Sequence, residues 1–175
     1  VSRREFIKAA SALGLSASAL AACTSTATSA AVMEFGLVTY LWGKDYPLPD
    51  LIEICEKADY KAVELRAYHA HGVEVDLSAA EREAVRKRFA DSPVTCVGYG
   101  SNQEYHSPDP DELQKQIEGT YDLIKLCHDI GASGLKVKPN TLPEDVEPEK
   151  TIAQIAKSMN TVGNFASDYG QEIRG

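Results

Sequence analysis

Ala62-Val63-Glu64-Leu65-Arg66-Ala67 and, further along the chain, Gly134-Leu135-Lys136-Val137-Lys138 place apolar side chains at one parity and charged ones at the other. Successive side chains of a strand point to opposite faces, so Val63 and Leu65 oppose Glu64 and Arg66, and Leu135 and Val137 oppose Lys136 and Lys138. An open doubly wound parallel sheet is buried on both faces and wants nearly continuous apolar strands. A (β/α)8 barrel instead has a polar mouth at the C-terminal ends of its strands, where inward charges are expected. The two segments favour the barrel, with a five-stranded doubly wound parallel sheet as the alternative.

The surrounding sequence alternates in the same sense. Phe35 to Trp42 is a short β-rich apolar run ended by Gly43, and Leu51, Ile54, Cys55 and Ala58 recur at helical spacing behind Asp50, an N-cap candidate. Ser78-Ala79-Ala80-Glu81 is a capping box that opens a charged helix to Phe89, and Val94 to Gly98 reads as the third strand. Asp109-Pro110-Asp111-Glu112 starts a third helix that runs to Gly131. Gly134 to Lys138 is the fourth strand, a helix spans about Glu149 to Tyr169, and Gln171 to Arg174 begins a fifth strand. This βα repetition predicts a parallel sheet with helices outside it. A barrel of this type takes ~250 residues, and about 150 follow Cys23. The expectation is therefore a barrel truncated after about four βα units and the start of strand 5.

The formal charge of −8 argues against a nucleic-acid partner, whose phosphates must be neutralised by basic side chains. Cys23, Cys55, Cys96 and Cys127 form no CxxC pair and no metal-finger spacing, and the last three read as small core residues. The N-terminus reads as an address. Ser2-Arg3-Arg4-Glu5-Phe6-Ile7-Lys8 precedes a weakly apolar run from Ala9 to Ala22, as in a twin-arginine signal peptide, and the run is too short and too rich in small residues for a membrane span. Leu20-Ala21-Ala22-Cys23 fits a lipobox, making Cys23 the expected lipidation site and a lipid anchor the expected membrane contact. Residues 1–23 are thus expected to be a signal, residues 24–33 a flexible tether and residues 34–175 the folded part, in a periplasmic or cell-envelope lipoprotein.

Several residues could carry chemistry. Glu64, Arg66, Lys136 and Lys138 should point inward, where charges must pair or meet a ligand. His69 and His71 follow the second strand and His106 the third, and imidazole serves both as a metal ligand and as a base near neutral pH. Solvated loop histidines are the plainer explanation of that pattern, and His128, on the third helix, reads as a packing or surface residue. Trp42 ends the first strand and could offer a flat apolar face to a sugar ring, although a core tryptophan reads equally well. No dinucleotide fingerprint, P-loop or nucleophile elbow is present.

Tyr40-Leu41-Trp42, Val63-Glu64-Leu65-Arg66, His69-Ala70-His71-Gly72-Val73-Glu74 and Glu104-Tyr105-His106-Ser107-Pro108, in this order, resemble the xylose isomerase-like TIM barrel superfamily, the sugar phosphate isomerase/epimerase group. The resemblance covers about residues 34 to 175. It implies a barrel enzyme that moves a proton next to the carbonyl of a sugar or sugar phosphate, helped by a divalent metal such as manganese, zinc or magnesium. It also implies that the main metal ligands lie on strands 5 to 8, beyond Gly175. His69, His71, His106 and Lys138 would assist proton transfer, while Trp42, Glu64, Arg66, Glu104 and Lys136 would bind substrate. The fragment itself is then expected to be inactive.

Two other readings stay open. A metal-dependent amidohydrolase also uses an HxH pair and a barrel lysine, although there the pair belongs at the end of strand 1. A non-catalytic sugar-binding protein tethered to the envelope needs no ligand set at all.

Overall fold

In the computed structural model, the described residues are 33–175. They form β1 (Gly36–Val38), α1 (Leu48–Lys57), β2 (Ala62–Arg66), α2 (Ala79–Ala90), β3 (Thr95–Gly100), α3 (Pro110–Ile130), β4 (Gly134–Lys136), α4 (Pro148–Asp168) and β5 (Glu172–Arg174). The expected signal, its Cys23 and most of the expected tether lie outside the described residues.

All neighbouring strands are parallel, in the order β1-β2-β3-β4-β5. Strand order separates the two folds considered above. A doubly wound sheet reverses direction at a switch point, and that reversal puts helices on both faces. With right-handed crossovers and no reversal, successive helices all pack on one face, as they do around a barrel. Val63, Leu65, Tyr99 and Leu135 are fully buried on this helix side, against Leu51 and Cys55 of α1 and Ile124 and Cys127 of α3. Each valine, leucine or isoleucine among them contributes about 1.5–3 kcal/mol through burial. Glu64, Arg66 and Lys136, at the alternate positions, escape that core. Cys55, Cys96 and Cys127 are free and buried, and burial pushes the Cys96 thiol up to about 12.

Local signals hold where their hydrogen bonds are specific. The Ser78–Glu81 capping box forms in both directions, and Asp109 accepts from the backbone N–H groups of Asp111 and Glu112. Gly131 ends α3 in the left-handed conformation, with φ 79°. Several boundaries differ from the expectation. Helix α1 begins at Leu48, so Asp50 sits in its first turn and is not its cap. Pro49 is accepted there because N–H groups of the first turn have no helical partner. Strand β1 stops at Val38: the Tyr40 N–H turns back to the Val38 carbonyl at 2.8 Å, and the run to Trp42 leaves the sheet.

β3 reaches Gly100, further than its apolar pattern indicates. Its two glycines leave room above the strand for side chains of β2 and β5. A Cβ on Gly98 would come within 3.1 Å of Arg174 Nη1 and 3.5 Å of Glu64 Oε2, and one on Gly100 within 3.5 Å of Arg66 Cγ. No described helix is long and apolar enough to cross a membrane.

Candidate active site

The loop after β2 carries the first group of predicted residues. Tyr68, at φ 66°, holds a left-handed conformation unusual for a residue with a Cβ, and Glu74 Oε1 accepts its N–H at 2.6 Å. Tyr99 reaches into the same loop from β3, its hydroxyl donating to the Val73 carbonyl at 2.8 Å with Glu74 Oε2 at 3.2 Å. His71 is buried among these groups. Its Nε2 lies 2.7 Å from the Arg66 carbonyl and its Nδ1 accepts from the Val73 N–H at 3.0 Å. These partners demand the neutral ring protonated on Nε2, and burial holds its pKa down to about 4. Both nitrogens of His71 are therefore occupied by backbone, and His71 differs in this from His69. The Nδ1 of His69 pairs with Thr39 Oγ1 at 3.1 Å, no described residue hydrogen-bonds its Nε2, and burial followed by the Arg66 charge lowers its pKa.

The second group gathers around one carboxylate. Glu104 Oε1 is 3.0 Å from Lys138 Nζ, and Oε2 is 3.1 Å from His106 Nδ1. Thr141 adds a longer contact to Oε2 at 3.4 Å. Lys138 stands just past β4, its N–H donating to the Gln103 carbonyl at 2.9 Å, which carries the β3–β4 pairing beyond the sheet proper. Glu104 and His106 line a cavity of about 250 Å³ with Asn102, Ser107, Glu112 and Gln116. Asn102 joins the two groups, since its Oδ1 accepts from Arg66 Nη2 at 3.0 Å.

Among the described residues the four inward charges do not pair with one another. Arg66 lies over the ring of Tyr40, 4.8 Å from its centroid, and Lys138 pairs with Glu104. Glu64 and Lys136 form no ion pair among the described residues, and both remain on the inner face. Trp42 is half exposed, with its ring 6.4 Å from that of Tyr60, the residue just ahead of Lys61 and β2 at the N-terminal edge of the sheet. Tyr40 supplies an aromatic face beside the charged residues instead. His128 packs edge-on against Tyr169, with Nδ1 3.1 Å from its carbonyl, on the helical exterior.

Sequence reasoning missed Tyr40, Thr39 and Asn102. Asn102 had a visible signal, because it follows a strand end as His69 and His106 do. The aromatic–cation contact of Tyr40 with Arg66 had none, since it requires knowing where β1 stops.

The arrangement can hold polyhydroxylated ligands. Arg66, Asn102 and Lys138 present donors, Glu104 an acceptor, and His69 and His106 groups able to exchange a proton. A divalent metal is a different matter. Among the described residues no three His, Cys, Asp or Glu side chains gather as a metal-binding group. Lys138 already places a cation on Glu104, so these residues do not by themselves fit such an ion.

Comparison with known proteins agrees with this architecture. The sequence pattern of the family described as xylose isomerase-like TIM barrel matches residues 52–174. No curated protein matches the sequence. Among solved structures, IOLI protein with a binding zinc atom superposes with TM-score 0.68 at 15% identity over 81% of this chain and 50% of its own. D-psicose 3-epimerase in the presence of D-fructose gives 0.67 at 17% identity, over 81% of this chain and 51% of its own. D-psicose 3-epimerase with D-tagatose, from Clostridium cellulolyticum H10, gives 0.68 at 16% identity, over 81% and 51%. The chain thus spans about half the length of the structures it matches.

Proposed function

Because the chain belongs to the xylose isomerase-like TIM barrel family, we propose that it supplies the substrate-holding side of a site that isomerises or epimerises a sugar or sugar phosphate. The observation that carries this reading is the Glu104 carboxylate shared by Lys138 and His106 on the strand-end rim. Moving a proton next to a carbonyl needs a base within hydrogen-bond reach and a positive or donating group where negative charge develops on oxygen. In this reading Lys138 and Arg66 face the substrate oxygens, and Glu104 holds Lys138 beside His106. His106 and His69 exchange protons, while His71 keeps the β2 loop in shape. Glu64 and Lys136 remain candidate substrate contacts, and Tyr40 takes the aromatic role first read for Trp42. The sugars named with the two epimerase structures support a small sugar as ligand.

The zinc named with the IOLI structure supports a divalent cofactor in the complete barrel. The described residues do not supply its ligand set, and no step here runs through it.

The test is solvent exchange. The complete barrel that carries this chain is incubated in deuterium oxide with free and phosphorylated aldoses and ketoses, with manganese, zinc or magnesium added, and proton NMR follows the carbon beside the carbonyl. Deuterium uptake that Glu104→Gln abolishes is the expected result. A folded protein that binds these sugars by calorimetry without any uptake would overturn catalysis in favour of the non-catalytic sugar-binding reading.

Export to the envelope is part of the same proposal. It is supported by Arg3-Arg4, the apolar run behind them and the Leu20-Ala21-Ala22-Cys23 lipobox.

A further inference from the structure

We infer that Gln154, on the outer helix α4, is a positioning residue for His106 and acts through the backbone on both sides of it. Its Nε2 donates to the Tyr105 carbonyl at 2.8 Å and to the Ser107 carbonyl at 2.9 Å. These are the two carbonyls that flank His106 in the chain. The segment from Ser101 to Ser107 is neither helix nor strand, so its carbonyls have no regular ladder to join, and a partly buried one left unpaired costs free energy. One primary amide carries two hydrogens at a fixed angle and can serve both acceptors together.

The surrounding contacts leave little other freedom. Tyr105 is fully buried with its hydroxyl 2.9 Å from Thr120 Oγ1, and Gln116 Oε1 accepts the Glu104 N–H at 3.2 Å. Thr151, Ile155 and Ser158 are buried and anchor α4 on either side of Gln154. The imidazole has no such anchor of its own. His106 Nδ1 is buried 3.1 Å from Glu104 Oε2, yet it is not aligned for a hydrogen bond. Its place beside Glu104 is therefore set by the backbone that Gln154 clasps. This inference rests on the reading of Glu104, His106 and Lys138 as one site, and it assigns a residue outside that site to its geometry.

The experiment is NMR on the full chain without substrate, so its outcome is separate from whether any sugar is turned over. In the unmodified protein the side-chain amide protons of Gln154 should exchange with solvent at least ~10-fold more slowly than those of the exposed Gln114. Equal exchange overturns the clasp, and this measurement needs no variant to fold. Gln154→Met, similar in shape but without donors, should shift and broaden the His106 imidazole resonance while leaving that of His128 in place. Ile155→Val, a comparable packing loss one residue away, should leave both resonances unchanged. An unmoved His106 resonance in folded Gln154→Met, or an equal movement in Ile155→Val, would reduce Gln154 to a structural residue.

Discussion

His71 and Arg66 are joined across five residues by a hydrogen bond from Nε2 to the Arg66 carbonyl, at 2.7 Å. The bond requires a neutral ring, because Nδ1 is occupied in accepting from Val73. The folded protein holds His71 near 4 while the unfolded chain binds a proton near 6.5, so between those values the unfolded state takes up more protons. Stability is thus fully present above about pH 6.5 and falls as the pH drops towards 4, by on the order of 3 kcal/mol in all. Urea melts at pH 7 and pH 4.5 should show the loss, and His71→Gln should flatten the part of the pH dependence that His71 carries.

Lys138 and Glu104 are only partly shielded, with side-chain exposures of 38% and 22%. A pair this open adds about 1 kcal/mol or less to stability. In the complete barrel Lys138→Ala should therefore leave thermal melting nearly unchanged and slow deuterium uptake by ~100-fold or more. A loss of stability with uptake intact would make the pair structural.

Gly98 and Gly134 should respond differently to alanine. At Gly98 the new methyl meets the end of the Arg174 side chain at 3.1 Å, which can move aside, although it must give up its 2.7 Å bond to the Val97 carbonyl. At Gly134 the methyl meets the backbone carbonyl of Glu172 at 2.8 Å, and β4 and β5 would have to separate. Gly98→Ala should cost about 1 kcal/mol and Gly134→Ala about 3 kcal/mol. Chemical denaturation of both variants checks the order.

Much of the fold was legible because it depends on local rules. The parity of Val63 and Leu65 against Glu64 and Arg66 placed the helix side and the inner side, and Ser78, Asp109 and Gly131 marked helix ends through bonds that only such residues make. Partnerships across the rim were harder. His69 and His71 look alike in sequence, yet among the described residues one keeps an unpaired nitrogen and the other spends both on backbone, a difference fixed by the path of the loop through Gly72 and Val73. Gln154 carries no signal at all, because its partners lie some forty-seven to forty-nine residues away.

Replacing Arg3 and Arg4 with lysine should leave the precursor in the cytoplasm. Cell fractionation reads this directly, and normal export of the double variant would reject the twin-arginine assignment. Mass spectrometry of membrane-purified protein should find Cys23 acylated, and an unmodified N-terminus elsewhere would rule out the anchor.

The uninterrupted strand order has a consequence for how the chain folds. Every strand pairs with its nearest predecessor in sequence, so each new βα unit docks on a surface that earlier residues have already formed. Among the described strands none has to wait for a distant segment to be inserted between it and its predecessor. Loop-closure entropy is thereby met in small, similar steps. Assembly should proceed from β1 towards β5 as the chain leaves the ribosome, with protection of the β2 and β3 amides appearing before that of β5.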